Sequence, residues 1–126
     1  MRALRQQLPQ ENLLYVADQA HVPYGHRPLA EVRQFSEAIS RFLLDQQAKL
    51  IVVACNTASA AALTELRQTF PGIPFVGMEP AVKPAAQQTQ TGRVGVLATA
   101  TTFSSERYAD LMARFAANVV VLEDPC

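Results

Sequence analysis

Apolar and polar positions along the chain fall into blocks whose period switches between that of a helix and that of a strand. Leu4 and Leu8 are spaced for a helix over residues 2–8 that stops at Pro9. Leu13-Leu14-Tyr15-Val16-Ala17 reads as a short buried strand ending at Asp18. A loop dense in turn-forming residues follows, from Gln19 to Pro28. Leu29, Val32, Phe35, Ile39, Phe42 and Leu43 then mark one face of a helix reaching Gln47. Leu50 to Ala54 is apolar at consecutive positions, as in a central parallel strand. Leu63, Leu66 and Phe70 line the next helix, which Pro71-Gly72 ends.

The same rhythm continues to the end. Ile73 to Met78 is a third strand, and Pro74 assigns it an early or edge position. Ala81 to Gln90 is a short helix in a polar setting, and Arg93 to Ala98 a fourth strand. Ser104 is a suitable cap for a helix using Tyr108, Leu111, Met112 and Phe115. Asn118 to Leu122 is a fifth strand. This alternation predicts an α/β fold, a flavodoxin-like parallel sheet with helices on both faces. The loops Asp18–Gly25, Cys55–Thr57 and Thr99–Thr102 each follow a strand and precede a helix, so they should meet on one rim of that sheet.

Composition narrows the partners. A chain of 126 residues suits one domain, or one domain and part of another. Lys+Arg and Asp+Glu balance at 11 each, so no charge argument points to nucleic acid or to a membrane surface. No apolar stretch is long enough to span a bilayer, and the N-terminus lacks a signal-peptide core. The expected location is therefore the reducing cytoplasm, with Cys55 a free thiol. Cys55 and Cys126 form neither a disulfide framework nor a metal motif.

The candidate chemistry centres on Cys55. It stands at the C-terminal end of a strand, and Asn56 or Thr57 is placed to cap the helix that follows. The unpaired N–H groups and partial positive charge of a helix start suit an anionic sulfur. The competing reading is a small core cysteine, the commonest fate of a lone one. Tyr24-Gly25 after Pro23 either offers a phenol and backbone N–H groups to a ligand or is a plain turn. Thr99, Thr101 and Thr102 either cap a helix or also bind an anion there. His21 and His26 lack metal-ligand spacing and read as solvated surface residues, although a Cys-His hydrolase would need one of them near Cys55. Glu79 before Pro80 reads as a turn or junction residue.

Four segments together resemble glutamate racemase, of the aspartate/glutamate racemase superfamily. They are Asp18-x-Ala20-x-x-Pro23-Tyr24-Gly25, Val53-Ala54-Cys55-Asn56-Thr57-Ala58-Ser59-Ala60, Gly77-Met78-Glu79-Pro80-Ala81 and Gly95-Val96-Leu97-Ala98-Thr99-x-x-Thr102. The resemblance implies interconversion of L- and D-glutamate by two thiols, without pyridoxal phosphate, other cofactor or metal, supplying D-glutamate for peptidoglycan. It implies that Cys55 is one acid/base thiol and that Tyr24, Gly25, Asn56, Thr57, Thr99 and Thr102 bind substrate. It also implies a homodimer for the full-length protein.

The family's opening Asp-Ser strand and its Cys-Thr-His segment have no counterpart here, and Cys126 resembles the start of a Cys-Pro-Gly segment that is not catalytic. The resemblance therefore implies an incomplete two-domain architecture. Residues 1–78 would be most of the first α/β domain without its first strand, and 79–126 the opening of the second. Such a chain is expected to be inactive alone. The alternatives are another cofactor-independent member of the superfamily, such as an aspartate racemase or a one-cysteine decarboxylase, and a non-catalytic module that binds small acids.

Overall fold

The computed structural model describes residues 1–125. In chain order the elements are α1 (Arg2–Gln7), α2 (Leu29–Asp45), β1 (Ile51–Val52), α3 (Asn56–Thr69), β2 (Phe75–Val76), α4 (Val82–Gln88), β3 (Arg93–Ala98), α5 (Ala100–Phe103), α6 (Glu106–Phe115) and β4 (Val120–Pro125). The fold is α/β with parallel strands, as the alternation predicts. Two departures from the expectation concern the strands. Leu13–Ala17 is no strand, because its backbone finds no ladder partner among the described residues, and Leu14 and Tyr15 lie exposed.

The second departure is that the strands form two separate parallel sheets rather than one. Ile51 pairs with Phe75 and Val52 with Val76, while β3 and β4 pair over six positions, from Arg93 with Val120 to Ala98 with Pro125. The two halves meet through helices instead of a shared ladder, with α3 packed against α5 and α6. Helices cover one face of each sheet rather than the two that the alternation predicts, because each core is built on a single side of its strands. Ile51 and Phe75 join Ala62, Leu63 and Leu66 of α3 in one core, and Val96 and Ala98 join Val82, Tyr108 and Leu111 in another. The opposite faces carry exposed Val52 and Val76 on the first sheet, and Leu97, Val120 and Leu122 on the second.

α3 is the central element because its small residues let neighbours approach closely. Ala58 and Ala61 receive Val32 of α2, which is fully buried. Arg33 adds a hydrogen bond from Nε to the Ala61 carbonyl at 2.9 Å and an ion pair to Glu65. Leu63, on the face toward β2, is 1% exposed. Burying a side chain of that size contributes about 1.5–3 kcal/mol. Ser59 Oγ donates to the Val53 carbonyl and accepts the Met78 N–H, so it pins the ends of both short strands to the helix. With α3 fixed this way, the position of its first turn is fixed as well.

Candidate functional site

Cys55 occupies the junction between the first sheet and α3, with extended backbone (φ −144°, ψ 126°). The helix begins one position earlier than a cap at Asn56 or Thr57 requires. Cys55 is itself the cap, its Sγ accepting the Ala58 N–H at 3.5 Å. The Ser59 N–H closes on the Cys55 carbonyl at 2.9 Å. These two bonds leave the Asn56 and Thr57 N–H groups of the first turn without an intrahelical acceptor, as any helix start must. Cys55 is half-buried against the cluster of Val32, Ala58 and Ala61, on which Tyr24 and Leu29 also pack, while Asn56 is exposed.

Thr57, relieved of capping, turns its side chain into the other half of the molecule. Its Oγ1 lies 3.0 Å from Thr99 Oγ1 and 3.4 Å from Thr102 Oγ1, and those two are 3.0 Å apart. Three hydroxyls from two helix starts thus form one cluster, with Thr102 fully buried and Thr57 nearly so. Thr99 caps the short α5 by accepting the Thr102 N–H. Ser105, rather than Ser104, caps α6, accepting the Tyr108 N–H at 3.2 Å. The α5 turn uses up Ser104, so the capping position falls one residue later.

The loop Asp18–Pro28 supplies the third side. Tyr24 Oη donates to Asp18 Oδ2 at 2.5 Å, and His21 Nδ1 meets Asp18 Oδ1 at 2.7 Å. Burial works against the Asp18 carboxylate, but the hydrogen bonds from Tyr24 and His21 outweigh it and hold its pKa below the ordinary value. Burial first, then the bond to Asp18, pushes the Tyr24 phenol well above the usual tyrosine range. Arg27 Nε donates to the His21 carbonyl at 2.6 Å, and its NH1 pairs with Glu31 at 2.9 Å. The His21 ring stacks on Phe35 with centroids 3.9 Å apart. His21 is therefore fixed by its partners in the loop while its side chain stays 44% exposed, and His26 is exposed. The Val22–Pro23 peptide is cis.

Gly25 brings this loop onto α5. A Cβ at Gly25 would lie 2.7 Å from Thr99 Cγ2, so only glycine permits the contact. The three loops expected to meet do meet, although from two sheets instead of one rim. Tyr24, Gly25, Cys55, Asn56, Thr57, Thr99 and Thr102 all belong to this junction, and Cys126 lies outside the described residues. Sequence reasoning placed Asp18 and Thr101 in these loops but assigned neither a substrate role nor the partner it bonds here. A carboxylate six positions before a tyrosine in a turn-rich loop was the available signal for Asp18.

The protein is thus of the α/β class, with a half-buried thiol at the start of a 14-residue helix whose next residue but one joins a cluster of three hydroxyls. The profile of the Asp/Glu/Hydantoin racemase family matches residues 1–125, and the chain belongs to that family. It is 56% identical over all 126 residues to a glutamate racemase of Pseudomonas aeruginosa, covering 48% of that protein. It superposes with a TM-score of 0.87 on Escherichia coli glutamate racemase in complex with L-glutamate and the activator UDP-MurNAc-ala. There it is 37% identical, covering 97% of this chain and 46% of that one. The Francisella tularensis enzyme in complex with D-glutamate gives a TM-score of 0.77 at 34% identity, covering 98% of this chain and 46% of that one. The chain thus spans about half the length of the relatives it matches.

Proposed function

We propose that this chain carries one catalytic half of a glutamate racemase, with Cys55 one of the two thiols that exchange the α-proton of glutamate. The observation that carries this reading is the meeting of Cys55 with Tyr24–Gly25 and the Thr57–Thr99–Thr102 hydroxyls in a chain whose relatives are glutamate racemases. The Asn56 and Thr57 N–H groups, left over once sulfur and carbonyl have taken Ala58 and Ser59, receive a substrate carboxylate. Thr99, Thr102 and the Tyr24–Gly25 loop hold the rest of the amino acid.

In the chemical step the Cys55 thiolate takes the α-proton. An S–H bond forms as the C–H bond breaks, and the electron pair moves into the α-carboxylate, whose added charge the helix-start donors stabilise. Inversion then requires an acid on the opposite face. By resemblance to the family, that acid is a second thiol in the length of the relatives that this chain does not span. Residues 1–78 form most of one racemase domain and 79–126 the opening of the other. The whole protein is a cytoplasmic homodimer that needs no cofactor and supplies D-glutamate for peptidoglycan.

The test is to incubate the chain with each glutamate enantiomer in deuterium oxide, following α-deuteration by NMR together with optical rotation. The expected outcome is slow deuteration of one enantiomer, D-glutamate by the family's pattern, with no racemisation, lost in Cys55→Ala. Efficient interconversion abolished by Cys55→Ser and also by Cys126→Ser would make Cys126 the second acid. No deuteration together with no glutamate binding would remove the reading.

A further inference from the structure

Thr101 is a buried hydroxyl whose bonding the chemistry above leaves unused. It stands at the second position of α5 and is 8% exposed. Helical serines and threonines commonly return their hydroxyl to the carbonyl one turn back. Ser36 and Ser40 do so here, onto Val32 and Ser36, and Ser105 bonds to Thr102. Thr101 instead donates to the Gly25 carbonyl at 2.8 Å, with the Arg27 carbonyl at 3.4 Å, across a separation of 76 positions. A hydroxyl has one proton. The shorter contact takes it, and the Arg27 carbonyl is a secondary acceptor.

Other contacts tie this loop to itself and to α2, where the His21 ring stacks on Phe35 and Arg27 pairs with Glu31, and neither is a bond to α5. Tyr24 is fastened to Asp18 within its own loop, a bond that says nothing about where the loop sits relative to α5. Gly25 has no side chain, so only its peptide groups can be gripped. We propose that Thr101 is a positioning residue, a hydroxyl latch on the Gly25 carbonyl that sets the Tyr24–Gly25 loop against α5 and fixes its distance from the Thr57–Thr99–Thr102 cluster. What the latched loop binds rests on the glutamate reading; the latch itself does not. Because the bond runs between segments of the two halves, loop order and the packing of one half on the other are coupled through it.

The test compares the chain with its Thr101→Val and Thr101→Ser variants by amide hydrogen exchange and by affinity for D- and L-glutamate. Thr101→Val should speed exchange of the Arg27 N–H, which bonds to the Tyr24 carbonyl at 3.0 Å, about fivefold, the ratio that one net hydrogen bond gives, with α2 and α3 unchanged. Thr101→Ser should keep the slow rate. Valine without effect on the loop, or serine as damaging as valine, would overturn the latch, the second result assigning the role to methyl packing. Should valine unfold the chain generally, Thr101→Ala repeats the comparison, and general loss of protection there too would make Thr101 a folding residue and overturn the latch. Glutamate affinity that falls in Thr101→Val and returns in Thr101→Ser supports latch and ligand together. Loop rates that follow the hydroxyl with no glutamate binding by any chain support the latch and overturn the glutamate reading.

Discussion

Thr57 and Thr99, 42 positions apart in the chain, hold their hydroxyl oxygens 3.0 Å from each other. This contact sets the start of α3 beside the start of α5 and brings the thiol of one half to the hydroxyls of the other. Thr57→Val keeps the side-chain shape and removes the hydroxyl. Thr99 and Thr102 retain each other as partners, so no group is fully orphaned. The expected cost is about 1–2 kcal/mol, with Thr57→Ser clearly milder. Urea midpoints at unchanged m measure it. Equal losses in the two variants would mean that the methyl, not the hydroxyl, matters.

Gly25→Ala tests the contact between the tyrosine loop and α5. The new Cβ would lie 2.7 Å from Thr99 Cγ2 and 3.1 Å from Thr99 Cβ, so backbone must shift, at about 1–3 kcal/mol. Thr99→Ser removes Cγ2 and keeps the capping oxygen. The double variant should therefore be more stable than the sum of the two single losses, a coupling that a double-mutant cycle reads directly. Strict additivity would place the strain elsewhere.

The parts of this arrangement legible in the sequence were those set by local pattern. β3 runs from Arg93 to Ala98 as the apolar run predicts, and α2 begins at Leu29 because Pro28 allows nothing helical before it. Leu13–Ala17 has the composition of a strand, but strand formation depends on a partner that periodicity does not supply. Cys55 as a cap was missed because sulfur is a weak acceptor and Asn56 and Thr57 are better ones by type. The hydroxyl cluster and the Thr101–Gly25 bond depend on two distant segments meeting, and the division into two sheets on which helices intervene between them. None of these leaves a local mark. Asp18 was visible as a motif residue, yet its hold on both Tyr24 and His21 required coordinates.

The Asp18–Tyr24 pair sets a pH window for loop order. Against burial, the Tyr24 and His21 hydrogen bonds hold the pKa of Asp18 below the ordinary aspartate value, so its stabilising contribution is present above that ordinary value and is lost as pH falls through the folded-state value. Tyr24 is raised above 10.0, so its contribution is full below pH 10 and is lost only as pH climbs through its higher folded value. The stability gap between the chain and Asp18→Asn should be constant from about pH 5 to 8 and shrink in stronger acid. The gap to Tyr24→Phe should be flat up to about pH 10 and shrink above it, where the unfolded phenol ionises before the folded one. Tyr108 offers an internal control: burial, then the nearby Glu123 carboxylate, pushes it up to about 12, although its hydroxyl finds no hydrogen-bond partner among the described residues. A Tyr24 phenolate appearing near pH 10 in an ultraviolet titration would show that the bond to Asp18 is not held in solution.

Ser59 and Gly77 together decide how the junction at Met78 is carried. Ser59 is fully buried and gives its hydroxyl to the Val53 carbonyl at 3.1 Å while accepting the Met78 N–H at 2.9 Å. Ser59→Ala strands a donor and an acceptor at once, and the cost should be about 1–3 kcal/mol. Gly77→Ala acts on the same point by another route. Its Cβ would collide with Leu63 Cδ2 and stand 3.2 Å from Ser59 Oγ. Leu63 is 1% exposed and cannot swing away, so strand β2 would have to move off α3 and stretch the Ser59–Met78 bond. If both substitutions act by freeing Met78, their effects overlap and the double variant loses less stability than the sum. The N–H of Met78 should then exchange faster in each single variant, with the Thr57–Thr99 contact untouched. Full additivity, with Met78 exchange unchanged in Gly77→Ala, would mean that the glycine is required by Leu63 alone and that Ser59 holds the junction by itself.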